Sequence, residues 1–348
     1  MIKVLYFGNI LSKHGYTPTT IENLSRLLQE EDMDIRISSD KRNKLLRFFD
    51  MIIFFLKHRK ETDVVLIDTY STLNFWYAVV IGRLSYHYNI KYIPILHGGK
   101  LPRRVDRNRK IADKLFGRSA VNVAPSTYLY TEFLERGFHN TVVIPNFINE
   151  RDYVIKLREK MNPIRMLWVR SFSNGYNPQM AIRCLHKLRE EIGDATLLMI
   201  GGTNGGDACF NETKQLAQDL EVADAVEFTG KLSKKDLIKR SEECNVFINT
   251  TNADNTPVSV IEAMAVGIPV VSTNVGGIPY LIRDGENGLL VEVGNIEEMV
   301  GKLKLLYEDD SLVLRLSRAS VETGMNYYSA NVKNAWRKLL IEELMCKK

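Results

Sequence analysis

The sequence predicts an α/β protein built from two doubly wound domains. The chain has 348 residues, 45% of them hydrophobic, which is more than one hydrophobic core usually organises. Short apolar runs bounded by turn residues alternate with segments of helical period along its whole length. Continuous apolar strands that alternate with helices indicate parallel sheets covered by helices on both faces. The hydrophobic content and the mild net charge of +5 exclude a disordered chain.

Apolar runs predict strands throughout the chain. In the first half they are Lys3–Phe7, Val64–Asp68, Tyr92–Leu96, Val121–Ala124 and Val142–Ile144. In the second half they are Met166–Arg170, Thr196–Ile200, Val226–Thr229, Val246–Asn249, Pro269–Ser272 and Leu289–Val291. Helical period is clear at Thr19–Glu30, Thr127–Arg136, Pro178–Glu191, Lys234–Glu243 and Val258–Val266.

A charged, weakly apolar stretch between Asn149 and Asn162 separates the two α/β series. We therefore expect a first domain over residues 1–150, a second over 151–325, and a C-terminal helix over 326–348 that packs back toward the first. Open parallel sheets bind ligands beyond the carboxyl ends of their strands. Two such domains predict a site in the cleft between them.

The sequence lacks the usual signals for secretion, membrane insertion or metal binding. The N-terminus has no signal-peptide pattern, and the longest apolar stretch, Met51–Leu56, is far shorter than the ~20 residues that span a bilayer. The four cysteines form no CxxC pair, and no histidine, cysteine or carboxylate cluster has metal-ligand spacing. A cytoplasmic protein with reduced thiols and no metal is expected.

Glycines follow several predicted strands. The pairs at residues 98–99, after His97, and at 201–202 would let a ligand approach the backbone closely. In isolation, each pair is equally well explained as a turn, and His97 as a histidine that satisfies backbone groups at a strand end. The first loop, which holds Gly8 and Gly15, lacks a GxGxxG fingerprint for dinucleotides.

The segment from Asp254 to Glu262 is the most informative in the chain. Thr256 is the expected N-cap of a helix and Pro257 its first residue. The first free amides, those of Val258 and Ser259, would form an anion site that favours phosphate. The plain alternative is an ordinary capped helix with two solvated carboxylates.

The stretch from Val226 to Val291 resembles the donor half of the retaining glycosyltransferases of family 4. It contains two acids separated by seven residues, Asp254 and Glu262, followed by EAMAVGIPVV, VGG and DGENGLLV. The HGG, APST and VIPNFIN segments of the first half resemble further elements of the family. The resemblance therefore covers most of the chain.

This resemblance implies the GT-B fold, in which two Rossmann-like domains face a central cleft. It implies a UDP- or GDP-linked sugar as donor substrate, with no cofactor and no metal, and its diphosphate on the amides of Val258 and Ser259. A glycan or lipid-linked acceptor of surface polysaccharide biosynthesis would lie mainly on the N-terminal domain. Transfer would retain the anomeric configuration.

The resemblance also implies roles for individual side chains. Glu262 would bind the ribose hydroxyls and Asp254 the hydroxyls of the donor sugar. Arg170 would neutralise the diphosphate leaving group. His97 would lie near the sugar, and Gly15 would approach the donor phosphates.

The chain departs from the family pattern at three points. Asp254 is shorter than the usual glutamate, and Asn255-Thr-Pro replaces the usual Gly-Phe-Gly. The lysine expected five residues after Arg170 is Gly175. Because the lost charge would slow the departure of a diphosphate, we expect Lys231 to replace that lysine.

Positive charge is concentrated in the first half of the chain. Residues 1–150 carry a net charge of +7 and the remainder −2. The segments Lys41–Lys60 and Lys100–Arg118 each carry +6, and the first has a strongly apolar centre. Either one is commonly just a solvated face, but together they favour peripheral contact with the anionic inner face of the membrane. Neither segment has a nucleic-acid-binding motif, so nucleic acid is not expected as a partner.

Two alternatives remain open beside the transferase. One is a GT-B-fold epimerase or phosphorylase, although phosphorylases of this fold generally need a longer chain and a lysine-bound cofactor. The other is a non-catalytic family member that binds a nucleotide sugar, which the absent lysine favours and the retained acids oppose.

Overall fold

The computed structural model describes residues 1–10, 12, 19–31, 33–203 and 206–344. These residues form two compact units. Unit 1 contains Met1–Asn146 together with the chain from Ser329 onward, and unit 2 contains Phe147–Tyr328. The division therefore falls between Asn146 and Phe147, a few residues before the predicted boundary at 150.

Unit 1 is a six-stranded sheet with helices. Its strands are β1 Ile2–Phe7, β2 Met33–Ser38, β3 Val64–Tyr70, β4 Lys91–His97, β5 Asn122–Ala124 and β6 Thr141–Val143. Its helices are α1 Thr20–Gln29, α2 Lys44–His58, α3 Phe75–His87, α4 Leu101–Arg107, α5 Arg109–Phe116 and α6 Thr127–Glu135. All described strand pairs are parallel, in the order β2-β1-β3-β4-β5-β6.

Unit 2 repeats this architecture with a different strand order. Its strands are β7 Ile164–Val169, β8 Ala195–Ile200, β9 Val226–Gly230, β10 Val246–Asn249, β11 Val270–Thr273 and β12 Leu289–Val291. Its helices are α7 Pro178–Ile192, α8 Ala208–Asp219, α9 Lys234–Ser241, α10 Val258–Ala265, α11 Ile278–Leu281, α12 Ile296–Glu308 and α13 Asp310–Met325. The described strands pair in parallel in the order β12-β11-β10-β7-β8-β9.

The C-terminal segment belongs to unit 1. It forms helix α14, Ser329–Arg337, which a π-helical turn, Lys338–Glu343, continues. Helix α14 contacts α1, and Lys333 forms an ion pair with Glu30 at 3.3 Å. The two helices that meet here are therefore the first and the last α-helices of the described residues.

The two parallel sheets confirm the predicted α/β class, and every predicted strand overlaps an observed one. Strand β2 was not predicted. Its first four residues alternate between buried and half-buried, and it is an edge strand of the sheet. Such alternation is the period-two signal that reveals a half-buried strand.

Each sheet has one topological switch point, where consecutive strands are added on opposite sides. In unit 1 it lies between β1 and β3, and in unit 2 between β10 and β7. The loops that leave the carboxyl ends of these two strands diverge, and the crevice between them is where open α/β sheets bind ligands. A ligand of either sheet would therefore bind at its switch point.

Two further observations bear on the predictions from sequence. Among the described residues, no helix is both long and apolar enough to cross a membrane. The cysteines of the described chain, Cys184, Cys209 and Cys244, are buried free thiols.

Candidate active site

Arg170 and Asp254 meet at the switch point of unit 2. Arg170 follows β7 and Asp254 lies in the loop after β10, and these neighbouring strands are in parallel register. Nη2 of Arg170 donates to Oδ2 of Asp254 at 2.5 Å, and both side chains are largely buried. The guanidinium also lies over the ring of Tyr176, 4.9 Å from its centroid. Two residues 84 positions apart are thus joined in one charged pair.

The loop after β7 is fastened to the loop after β10 by hydrogen bonds. The amide of Asn252 donates to the carbonyl of Gly175 at 2.9 Å. The Thr250 hydroxyl donates to the carbonyls of Tyr176 and Asn177, both at 2.9 Å, and accepts from the Trp168 indole at 3.0 Å. Arg170 and Asp254 therefore project from connected loops, which holds their side chains in place.

Two glycine pairs make this close packing sterically feasible. A Cβ added at Gly201 would lie 1.6 Å from the Arg170 carbonyl oxygen. A Cβ at Gly276 would lie 2.1 Å from the carbonyl oxygen of Asp254, and one at Gly277 would lie 1.9 Å from that of Asn255. Neighbouring backbone occupies the space that a side chain would need. Gly201, which was predicted to let a ligand approach, therefore makes room for the loop that carries Arg170, and the pair Gly276 and Gly277 makes room for the loop that carries Asp254.

Glu262 lies one turn into α10 and forms an ion pair with Lys234, the first residue of α9. The Lys234 ammonium also lies 4.8 Å from the centroid of the Tyr153 ring. Burial raises the pKa of Tyr153 above its ordinary value, and the neighbouring Glu262 carboxylate raises it further. Tyr153 is therefore a neutral phenol beside the carboxylate. Glu262 is less exposed than Lys234, so the lysine reaches in from the solvent side.

Helix α10 begins at Val258, and its N-cap is Pro257. The prediction of Thr256 as N-cap and Pro257 as first helical residue is therefore wrong by one position. Pro257 has the extended backbone of a cap (φ −71°, ψ 118°), so the helix starts only after it. The hydroxyls of Thr256 and Ser259 are shielded from solvent and have no hydrogen-bond partner within the described chain.

The N-terminus of α10 retains the anion-binding features expected from the sequence. The first helical amides belong to Val258 and Ser259, and helix geometry leaves such amides without intrahelical acceptors. The dipole of the helix adds partial positive charge at the same end. Asp254 precedes these amides and Glu262 follows them in the chain. This combination of donors and acceptors suits a phosphate with an attached sugar.

Gly175 occupies the position where a lysine was expected. It is exposed, and a Cβ added there meets only the Ser173 hydroxyl, at 3.9 Å. Lys231, the expected substitute, is exposed in the loop after β9, near Gly202. Its replacement of the missing lysine stays a prediction. Lys234, three residues further on, is the lysine that the structure joins to a candidate site residue, Glu262.

His97 ends β4 in unit 1, beside the switch point of that sheet, and belongs to a buried polar cluster. Its Nε2 lies 2.8 Å from Oδ1 of Asp68, and the Tyr6 hydroxyl donates to the same oxygen at 2.8 Å. The ring of Tyr70 stacks on His97, with centroids 4.7 Å apart. Burial and the Asp68 carboxylate raise the pKa of both tyrosines, which keeps them protonated.

The Asp68 carboxylate fixes the orientation of the imidazole. Because a carboxylate can only accept, Nε2 of His97 is the protonated nitrogen of the pair, and Nδ1 is the nitrogen left for other contacts. The second Asp68 oxygen is buried without a hydrogen-bond partner in the described part of the chain, 2.5 Å from where a Gly8 side chain would begin. The absence of a side chain at Gly8, just after β1, therefore leaves room for the Asp68 carboxylate on β3.

The site residues predicted from sequence thus fall into three groups. Arg170, Asp254 and the start of α10 come together in unit 2, with Glu262 on the same helix. His97 lies in unit 1. Gly15 lies outside the described residues.

Several residues of these clusters were not predicted: Tyr6, Asp68, Tyr70, Tyr153, Tyr176 and Lys234. Asp68 could have been chosen from the sequence, since a carboxylate that follows the apolar run Val64–Ile67 lies at the carboxyl end of a predicted strand, where ligands bind. The tyrosines had none, because aromatic residues are common in any buried core.

Solved structures resemble this fold over the whole chain. Sucrose-phosphate synthase from Thermosynechococcus elongatus superimposes with a TM-score of 0.82 over 100% of both chains, at 14% identity. HepE of Anabaena in complex with UDP-glucose gives a TM-score of 0.76 at 17% identity, over 98% of this chain and 100% of that one. These likenesses show the fold alone, which is the GT-B fold of two Rossmann-like domains.

Sequence comparison points the same way. The amylovoran biosynthesis glycosyltransferase AmsK of Erwinia amylovora is 26% identical over 254 residues, which is 69% of this chain. The alignment spans 61% of the length of AmsK, less than two thirds of that relative. The model of the glycosyl transferases group 1 family matches residues 149–323. Since that match covers half of the chain and includes Arg170, Asp254 and Glu262, the protein belongs to the glycosyl transferases group 1 family.

Proposed function

We propose that the protein is a retaining glycosyltransferase that moves a hexosyl group from a UDP- or GDP-linked sugar to a glycan or lipid-linked glycan. The acceptor belongs to surface polysaccharide biosynthesis, a role supported by the likeness to an amylovoran biosynthesis glycosyltransferase. The enzyme works in the cytoplasm, at the inner face of the membrane. Its donor complex with UDP or GDP needs no metal ion.

The observation that carries the proposal is the grouping of Arg170, Asp254 and the N-terminus of α10 at one switch point. A diphosphate needs positive charge and hydrogen-bond donors, which Arg170 and the first α10 amides supply. A sugar needs hydrogen-bond acceptors for its hydroxyls, which the Asp254 carboxylate supplies. The structure of HepE with UDP-glucose, a protein of the same fold, supports this kind of donor.

Donor binding then requires an exchange of partners. The diphosphate replaces Asp254 as the partner of Arg170, and the freed Asp254 carboxylate turns to hydroxyls of the sugar. In the same way, the ribose hydroxyls displace Lys234 from Glu262. Lys234 then lies close enough to the nucleotide to add positive charge. This exchange keeps every buried charge partnered before and after binding.

Transfer occurs on one face of the sugar. The bond between the anomeric carbon and the diphosphate oxygen breaks, and the acceptor oxygen bonds to the same carbon from the same side. The acceptor proton passes to the departing phosphate oxygen, so no protein base is required. Arg170 and the α10 N-terminus stabilise the charge that develops on the leaving group.

His97 is the residue of unit 1 that we assign to the donor sugar. The Asp68 carboxylate accepts a hydrogen bond from Nε2–H of His97, and the stacked ring of Tyr70 fixes the orientation of the imidazole plane. Its Nδ1 is then a fixed acceptor for a sugar hydroxyl.

The test combines nucleotide binding with sugar transfer. Thermal unfolding is followed with UDP, GDP and ADP, because a ligand that binds only the folded state raises its stability by about 2.7 kcal/mol at a hundredfold excess over Kd. Transfer and hydrolysis are then measured with a panel of nucleotide sugars. We expect stabilisation by UDP or GDP and turnover of a sugar linked to the same nucleotide. Stabilisation without any turnover supports the non-catalytic alternative instead.

The Glu262→Ala variant makes the assignment specific. It should unfold at nearly the temperature of the original protein but lose sugar transfer and most of the nucleotide-induced stabilisation. Glu190→Ala is the matched control, because Glu190 is an exposed helical glutamate that pairs only with His186 among the described side chains. Near-normal turnover in Glu262→Ala would contradict the donor-site assignment.

A further inference from the structure

Helix α2 has apolar side chains on two opposite faces. The inner face packs Met51 and Phe55 into the core of unit 1. Arg47 is also buried. Its guanidinium donates hydrogen bonds to the Asn9 side-chain oxygen at 2.7 Å and to the Lys41 carbonyl at 2.8 Å. The outer face carries five large hydrophobic side chains that are 37% to 71% exposed: Leu45, Leu46, Phe49, Ile53 and Leu56.

These five side chains form one stripe. At about 100° of rotation per residue, they fall within an arc of roughly 100° along a helix about 22 Å long. Soluble proteins seldom leave such a continuous apolar stripe in water, and large exposed patches mark interaction surfaces. We call this stripe the outer face of α2.

The start of α3 adds to the apolar surface near the N-terminal end of α2. The Tyr77 hydroxyl donates to the Lys44 carbonyl at 2.9 Å, and its ring lies 6.0 Å from that of Phe48. Leu73 and Trp76, just before Tyr77 in the chain, are both exposed. Tryptophan is enriched where proteins meet the boundary between lipid and water.

Basic residues lie at both ends of the outer face. They are Lys41, Arg42 and Lys44 at one end and Lys57, Arg59 and Lys60 at the other. Asp50 is the only acidic residue in the segment 41–60, which carries a net charge of +6. An apolar stripe with lysine and arginine at its borders is the pattern of helices that lie in an anionic membrane surface.

We propose that the outer face of α2 docks unit 1 on an anionic lipid bilayer, with the helix parallel to the membrane plane. Its inner face keeps α2 fixed in unit 1, so docking uses a preformed surface and needs no unfolding. The purpose of docking rests on the proposed function, because a lipid-linked acceptor must be met at the membrane. The binding itself depends only on α2.

A second copy of the chain is a less suitable occupant. A symmetric dimer through this face would oppose two segments that each carry +6, and like charges across an interface are destabilising. The other basic segment, Lys100–Arg118, has no exposed apolar stripe, because its Leu101, Val105 and Phe116 are buried.

Vesicle binding tests the proposal in the absence of donor and acceptor. The purified protein is sedimented with vesicles of phosphatidylcholine and phosphatidylglycerol, and with vesicles of phosphatidylcholine alone. We expect binding to the anionic vesicles, weaker binding to the neutral ones, and a decrease with added salt. Lys57→Gln and Lys60→Gln should each weaken binding about fivefold at low salt.

The apolar contribution is tested with a double variant, Phe49→Ser with Ile53→Ser. It should weaken vesicle binding at least tenfold, because the two serines withdraw the apolar surface of Phe49 and Ile53 from the lipid. The matched control is Val293→Ser with Leu305→Ser, two residues of unit 2 that are 42% and 44% exposed. The control should bind vesicles as the original protein does. Circular dichroism melting verifies that both variants fold.

Three outcomes would overturn the proposal. The first is an original protein that does not sediment with anionic vesicles. The second is equal loss of binding in the control. The third is light scattering that shows a dimer in lipid-free buffer which Phe49→Ser with Ile53→Ser dissociates, since the occupant is then a second copy. Glu262→Ala, which tests the donor site, should bind vesicles normally, so failure of the proposed function is recognised separately.

Discussion

Gly277 offers the most direct way to displace the loop that carries Asp254. An alanine Cβ there would lie 1.9 Å from the Asn255 carbonyl oxygen, whereas real Cβ atoms stay beyond 3.0 Å. The carbonyl must therefore move by at least the difference, 1.1 Å. Gly277 itself has a backbone that alanine accepts easily, with φ −87° and ψ −5°. The contact with Asn255 is thus the whole obstacle to Gly277→Ala.

Such overpacking costs ~1–3 kcal/mol and should lower the Tm by roughly 2–12 °C for a unit of this size. The same movement displaces the Asp254 carboxylate from the position in which it would accept hydrogen bonds from the donor sugar. A hydrogen bond to a charged group contributes about 1.5–3 kcal/mol, so nucleotide-sugar binding should weaken at least tenfold.

Calorimetry measures both quantities, the Tm by scanning and the Kd by titration with the nucleotide sugar. Gly301→Ala is the control, because Gly301 lies in α12 and a Cβ added there meets nothing within 4 Å. It should raise stability by about 0.5–1 kcal/mol and leave binding unchanged. If Gly277→Ala kept the original Tm and Kd, the packing of the glycine pair against the Asp254 loop would not matter as described.

Three further substitutions test other parts of the molecule. Asp68→Asn should reduce sugar transfer roughly 10- to 100-fold and alter its pH profile, because His97 loses the carboxylate that orients it; an unchanged profile would contradict this role. Gly175→Lys should raise turnover about tenfold in transfer assays, since the side chain has room and returns a positive charge, whereas Gly175→Met should not. A hydrogen bond from Arg136 lowers the pKa of Asp106 below its ordinary 3.8. The stability this adds is complete above that value and is lost as the pH falls through the lower pKa of the folded state, so Asp106→Asn should flatten the acid side of a Tm-against-pH curve.

The sequence predicted the fold well because most of its strands are buried on both faces. Continuous apolar runs such as Thr196–Ile200 can hardly be anything else when helical segments flank them. Strand β2 was missed because the strands were identified from continuous apolar runs, and Met33–Ser38 alternates apolar and polar residues instead. The helix start at Val258 was misplaced by one residue, since Thr256 and Pro257 are both good residues for a helix beginning.

The candidate site was predicted in part. Residues close together in the chain could be related to one another from the sequence, whereas contacts made by tertiary packing could not. Asp254 and Glu262 are close in sequence, so one helix relates them. The contact of Arg170 with Asp254 depends on strand order, which spacing along the chain does not reveal. The ion pair of Lys234 with Glu262 could not be predicted, because the direction of a side chain at the start of α9 is decided by tertiary packing.

The order of strands in unit 2 also determines when its charged pair can form during synthesis. The chain lays down β7, β8 and β9 on one side before β10 is added at the other edge of β7. A nascent chain that has produced Arg170 must still produce the 84 residues up to Asp254. Until then the guanidinium lies at an exposed sheet edge with no acidic partner from β10. Contact between Arg170 and Asp254 therefore reports that both halves of the second sheet have joined, which makes it a late event in folding.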